Sequence, residues 1–140
     1  MIADWPATLP RPERDTWQSQ TVDARRKTQH DAGPRQYRRR LSGVSREVRL
    51  SVILTRAQKA VFETFWSQTC AEGTLFFRMP DPTTDRWPLL TAAEVPVLTA
   101  GGAPVLMAAT WLCAWGAEPP TETIHGQIEF RITFSVLVLP

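Results

Sequence analysis

Two histidines (His30, His125), two cysteines (Cys70, Cys113) and the carboxylates Asp81 and Asp85 are where catalysis or metal binding would have to rest. A zinc-type site needs three or four converging ligands, and neither histidine has a cysteine or carboxylate at ligand spacing. His30 lies in a polar turn and His125 opens a strand, so both read as structural or surface residues. Asp81 and Asp85 could form an acid–base pair, but they flank Pro80-Asp81-Pro82-Thr83-Thr84-Asp85, where Asp and Pro serve turns first. The cysteines lack CxxC spacing and a partner histidine, so they read as free thiols rather than a nucleophile or a disulfide. Gly101-Gly102 signals a hairpin and does not form a phosphate cradle. The expectation is no catalytic residue, no cofactor and no metal.

Charge is the one pronounced chemical signal. Seven basic residues fall within sixteen: Arg25, Arg26, Lys27, Arg35, Arg38, Arg39 and Arg40. They could neutralise phosphates, with Tyr37 stacking on a base. As a strand, however, 35–41 sends Arg35 and Arg39 to one side and Arg38 and Arg40 to the other, which divides any binding stripe. A basic edge strand also deters unwanted sheet pairing and can meet an acidic surface on another subunit. Residues 1–50 carry eleven Lys/Arg against six Asp/Glu, and residues 51–140 five against eight. Opposed halves of this kind fit either a simply solvated arm or head-to-tail association with copies of itself or a neighbour.

The elements that would carry these groups follow from periodicity. From Ile128 to Val138 the apolar residues Ile128, Phe130, Ile132, Phe134, Val136 and Val138 share one parity, which predicts a long half-buried strand. Val48, Leu50, Val52 and Leu54 predict a second. Thr55 and Gln58 form a T-x-x-Q capping box that opens a single helix over about 56–70. Ala57, Val61 and Phe65 make one stripe and Phe62 and Trp66 another, with Lys59, Glu63 and Ser67 facing water. Gly73 caps the helix. Short strands are expected at 74–79 and, more weakly, at 89–98. A strand at 105–115, apolar on both faces, should be covered on both.

Residues 1–34 lack periodicity and read as an extended N-terminal arm laid over a surface, its own or a partner's, with Trp5, Leu9, Trp17 and Val22 as anchors; residues 35–140 read as one domain. The fold class is mainly β with one α-helix, as an antiparallel β-sandwich or open barrel. No apolar run nears the ~20 residues that span a bilayer, and the first residues do not read as a signal peptide, so synthesis in the cytoplasm is expected.

Several landmarks together resemble the minor tail proteins of lambda-like phages and the related tail-tip proteins of prophages. They are Trp5-Pro6, the turn His30-Asp31-Ala32-Gly33-Pro34 before Arg38-Arg39-Arg40-Leu41, and the strand delivering Leu54-Thr55-Arg56-Ala57-Gln58. The helix Val61-Phe62-Glu63-Thr64-Phe65-Trp66, then Gly73-Thr74-Leu75-Phe76-Phe77 and the closing Val136-Leu137-Val138-Leu139-Pro140 complete the set. The similarity covers roughly 5–80 and 124–140, whereas 86–123 is longer and more apolar than the family pattern. The resemblance implies a tail-tube-like fold that forms a hexameric ring at the distal end of the tail tube and joins it to the tail-tip or baseplate complex. It implies a virion protein assembled in the bacterial cytoplasm. Its partners would be copies of itself and neighbouring tube and tip proteins, with transient passage of DNA through the lumen and no membrane. The expected subunit interface is Trp5, Trp17, Arg38, Arg39 and Arg40. The alternatives are a tail-terminator or head–tail joining ring, and a basic nucleic-acid-binding module.

Overall fold

The computed structural model describes residues 2–140. The chain is mainly β with one helical segment. A seven-stranded open sheet has the order β1-β6-β7-β9-β5-β2, with β8 also on β9, and a separate two-stranded sheet pairs β3 with β4. The strands are β1 (Ala3–Asp4), β2 (Gln18–Thr21), β3 (Arg25–Thr28), β4 (Gln36–Arg39), β5 (Arg46–Leu54), β6 (Phe77–Pro80), β7 (Thr110–Trp115), β8 (Thr121–His125) and β9 (Glu129–Val138). All pairs are antiparallel except β1 with β6, which makes the large sheet mixed.

The two strands with the clearest alternation form the centre. β5 and β9 pair over their whole overlap, from Arg46 opposite Val138 to Leu54 opposite Phe130. Val48, Leu50, Val52 and Leu54 are fully buried on one strand, and Ile132, Phe134, Val136 and Val138 are buried on the other. Ile128 falls outside the strand, in the β8–β9 turn, and is exposed.

The helix α1 (Arg56–Thr64) opens with both halves of the predicted capping box and continues as a π-helical turn over Phe65–Thr69. It ends through Ala71, Glu72 and Gly73, all left-handed. The packed arc is narrower than predicted. Phe62 and Phe65 are buried, but Val61 is exposed and Trp66 only partly covered. Lys59 does not simply face water: its Nζ lies 2.6 Å from Glu122 on β8 and over the Phe130 ring. The helix is thereby tied to the sheet at its solvent edge as well as through its core face.

Residues 2–21 are laid on the chain's own body. β1 and β2 supply its two edge strands, and between them the chain crosses the core side of the sheet. The Trp5 ring lies 5.7 Å from Phe65, 5.8 Å from Phe134 and 6.0 Å from Phe62. Leu9 is buried in the same core, and Gln58 of the helix donates to the Thr8 carbonyl. Trp17 is also packed against the core of its own chain.

The largest departure from the sequence reading lies at 86–109. Only Thr110–Trp115 of the expected 105–115 strand joins the sheet. Its core-facing residues Trp111, Cys113 and Trp115 are buried, whereas Leu106 is exposed. The weaker strand expected at 89–98 is absent as such, its place taken by isolated bridges. Prolines at 88, 96 and 104 remove the donors a continuous ladder needs.

Candidate interaction surfaces

Two projections stand out from the sheet body, and each is built by a local rule. The first is the β3–β4 hairpin. The loop residues Gln29 and Arg35 join across its end by side-chain hydrogen bonds of 2.7 and 3.0 Å. Every residue of both strands is exposed, so the hairpin contributes nothing to the core and takes no support from it. Such a unit is marginal in water on its own.

Its register opposes Arg25 to Arg39 and Arg26 to Arg38, and like charges placed directly across a ladder destabilise it. Alternation then separates two faces. On one, Asp23 binds Arg25 at 2.9 Å and Lys27 at 2.9 Å, and the Arg25 guanidinium covers Tyr37. The hydrogen bonds from Arg25 and Lys27 hold the Asp23 carboxyl well below the usual range. The other face carries Arg26, Arg38 and, by parity, Arg40. None of these three has an acidic partner among the described residues. Of the predicted interface residues, Arg38, Arg39 and Arg40 therefore stand together on an exposed element. Trp5 and Trp17 are partly buried against the core of their own chain.

The second projection is a rosette of three octapeptides that the sequence reading missed: Trp-Pro-Leu-Leu-Thr-Ala-Ala-Glu (87–94), Val-Pro-Val-Leu-Thr-Ala-Gly-Gly (95–102) and Ala-Pro-Val-Leu-Met-Ala-Ala-Thr (103–110). Proline, leucine and alanine recur at the second, fourth and sixth positions. The backbone repeats with them. The third-position amides form a closed ring: Val97 donates to Leu89, Leu89 to Val105 and Val105 to Val97, at 2.8, 2.8 and 2.9 Å. Fifth-position amides bond the first-position carbonyl of the next unit: Thr91 to Val95, Thr99 to Ala103 and, closing the circle, Met107 to Trp87. Arg86, Glu94 and Gly102, eight residues apart, are all left-handed, at φ of 63°, 62° and 82°. The result is a pseudo-three-fold closed unit: two arms are short hairpins that turn through Glu94 and Gly102, and the third pairs the chain's entry beside Arg86 with its exit. An eight-residue self-comparison of the sequence would have found it.

The rosette joins the body at one corner. The Asp81 amide donates to Ala109, the Ala109 amide donates to the Asp85 carboxylate, and Arg11 pairs with Asp85 at 3.5 Å. Asp81 itself accepts from the amide and hydroxyl of Thr83. Both carboxylates are thus engaged in shaping this loop, as the turn reading expected.

His125 Nδ1 lies 3.2 Å from Arg131, and both thiols are free and buried. Burial pushes Cys70 up, and burial with nearby Asp81 pushes Cys113 up to about 12. Among the described residues no three His, Cys, Asp or Glu side chains converge as a metal site would require. Among those residues, too, no helix is long and apolar enough to cross a membrane. No family model and no curated protein matches this chain.

Proposed function

We propose that this chain is a structural component of a bacteriophage tail, a ring-forming subunit at the distal end of the tail tube that joins it to the tail-tip complex. One observation carries the reading beyond the sequence resemblance. The β3–β4 hairpin is fully exposed, has no core of its own and holds two pairs of arginines face to face. An element with that electrostatic liability gains most from an acidic surface supplied by a neighbour. The mainly β body with one helix is compatible with the small tail-tube-like fold the resemblance implies. Heterologous contacts made by one projection per copy close into rings when the rotation permits.

The decisive experiment is to purify tail particles from cells carrying the gene in its native neighbourhood and to image them. A ring of this chain at the distal end of the tube is the expected result. Its absence from intact tails would sink the proposal, and a ring at the head-proximal end would support the joining or terminator alternative.

One observation favours a reading of a different class. The face with Arg26, Arg38 and Arg40 lacks acidic compensation and could neutralise a nucleic-acid backbone. A titration with duplex DNA at increasing salt separates the two. A steep loss of affinity with salt marks a nucleic-acid module, and no binding at low salt removes it.

A further inference from the structure

We propose that the β3–β4 hairpin of one copy seats its arginine face in the groove between the helical segment and the β7–β8 loop of the next copy, joining the two head to tail. The contact rests on the reading of the hairpin as a subunit-contact element, and it names the surface that receives it.

The groove has the chemistry of a guanidinium site. About 360 Å3 in volume, it opens between the helical segment and the loop leading into β8. Phe62, Trp66, Pro119 and Pro120 give it an apolar lining, and Glu63 and Glu122 stand on its two sides. Among the described residues no basic side chain lines it. Two more exposed glutamates adjoin it: Glu118 precedes Pro119, and the Glu72 amide donates to the Trp66 carbonyl. Among the described residues the one cation paired with any of these four is Lys59, 2.6 Å from Glu122 and 3.7 Å from Glu63. Four glutamates against one lysine leave three surplus negative charges. An apolar occupant would desolvate those carboxylates without pairing them. Arginine satisfies both halves, stacking its flat face on a tryptophan and pairing with carboxylates through its edge.

The same chain carries the complement. Arg26, Arg38 and Arg40 are exposed, share one side of the hairpin by alternation and have no acidic partner among the described residues. Three unpaired cations thus answer three surplus negative charges. Neither surface can satisfy the other within one molecule. The hairpin continues the β2–β5 ribbon past Arg46, the Val22 amide donating to Ser45 and the Arg40 amide to Ala24. The groove lies toward the other end of the same strand pair, where Ile132 in its lining is opposite Val52. At the rise of a strand, about 20 Å separates Val52 from Arg46. Every residue of β3 and β4 is exposed, so the hairpin does not fold back over the sheet. Complementary surfaces at opposite ends of one molecule make a heterologous contact, which repeats from copy to copy.

The test places the photo-cross-linking residue p-benzoylphenylalanine at Gln36, on the same hairpin side as Arg38, in the full chain and in cells carrying the gene in its native neighbourhood. The expected product has twice the chain mass and joins the hairpin to the peptides around Glu63–Trp66 or Glu118–Glu122 of a second copy. Arg38→Glu with Arg40→Glu in one labelled chain, and Glu63→Arg with Glu118→Arg in another, should each lower that yield on the order of ten-fold. Co-expressed, the two variants should restore it, because each hairpin then finds a groove of opposite charge. The proposal is overturned by adducts elsewhere on a second copy, or by adducts only on another protein or on nucleic acid. It also fails if co-expression does no better than either variant alone, or if no adduct forms although the melting temperature shows the labelled chain folded. Tails that carry the chain without a groove adduct sink this contact and leave the tail assignment standing. Groove adducts in cells whose tails lack the chain do the reverse.

Discussion

Glu13 and Arg131, 118 residues apart in the chain, meet in a two-point ion pair at 2.9 and 3.2 Å beneath the N-terminal segment. Ser51, a fully buried hydroxyl in the middle of β5, donates to the same carboxylate and is also hydrogen-bonded to Thr16. The polar network fills what would otherwise be an unsatisfied site on the sheet and fastens the crossing segment to it.

Acid should therefore loosen the N-terminal segment before the rest. Burial works against ionisation of Glu13, but the hydrogen bonds from Ser51 and Arg131 outweigh it and hold its pKa below the ordinary value. A lowered folded pKa means the contribution is present above the unfolded value and is lost as pH falls through the folded one. Hydrogen exchange measured from neutral to acid pH should show protection near residues 13–19 falling first. Glu13→Gln should abolish that pH dependence and cost about 1 kcal/mol by denaturant unfolding, the pair being half-exposed.

Arg38→Glu should make the hairpin more stable and the assembly less so. The substitution faces a glutamate to Arg26, replacing a repulsive cross-strand pair with an attractive one worth about 0.2–1 kcal/mol. Amide exchange in 25–39 should slow, while association with sister copies, measured by sedimentation under conditions where rings form, should weaken. Faster association in the variant would contradict the role given to the arginines.

Gly116→Ala should be among the most damaging single changes. A Cβ there would sit 2.9 Å from the Ser135 carbonyl oxygen and collide with the Ser135 hydroxyl as well. The Gly116 amide donates to that same carbonyl, so the two backbones cannot separate without losing a bond. A loss of about 3 kcal/mol or more is expected by denaturant unfolding.

Within the rosette, Glu94→Gly should stabilise and Gly102→Glu should destabilise, because both positions are left-handed and only glycine adopts that region freely. Each change should be worth about 1 kcal/mol in opposite directions, read as shifts in denaturation midpoint. Equal signs would show that the two turns are not equivalent.

The thiols should be silent until the chain unfolds. Cys70 and Cys113 are fully buried, so a thiol reagent at mildly alkaline pH should titrate neither in the native protein and both in denaturant. Since burial raises the Cys113 pKa to about 12, its neutral form favours the fold. That contribution is complete below the unfolded thiol pKa and declines as pH rises toward the folded value. Cys113→Ala should flatten the alkaline loss of stability.

What one-dimensional pattern could reveal, it revealed where a single local rule governs. Strict alternation marked Val48, Leu50, Val52 and Leu54, and separately Ile132, Phe134, Val136 and Val138, as the buried faces of two strands, and the Thr55–Gln58 pair located the helix start, because these depend on backbone period and capping alone. Parity also separated Arg38 and Arg40 from Arg39. Aperiodic sequence cannot say whether Trp5 and Trp17 lie on their own chain or on a partner; both pack against the core of their own chain. Apolar content at 89–98 and 105–115 reads as strand by local pattern, whereas the eight-residue recurrence of proline in the same letters is what the backbone follows.

By itself the amino-acid order determined a β-rich chain with one capped helix, a cationic stretch near residue 30 and two half-buried strands. Folding in three dimensions decided which apolar residues those strands and that helix had room to cover. Trp5 is absorbed because the crossing segment lands over Phe62, Phe65 and Phe134. Leu90, Leu98 and Leu106 are left outside because the adjacent residues Leu89, Val97 and Val105 commit their backbones to one another in a closed ring. Hydrophobicity is a property of each residue, but burial depends on where distant segments meet, and no local period encodes that.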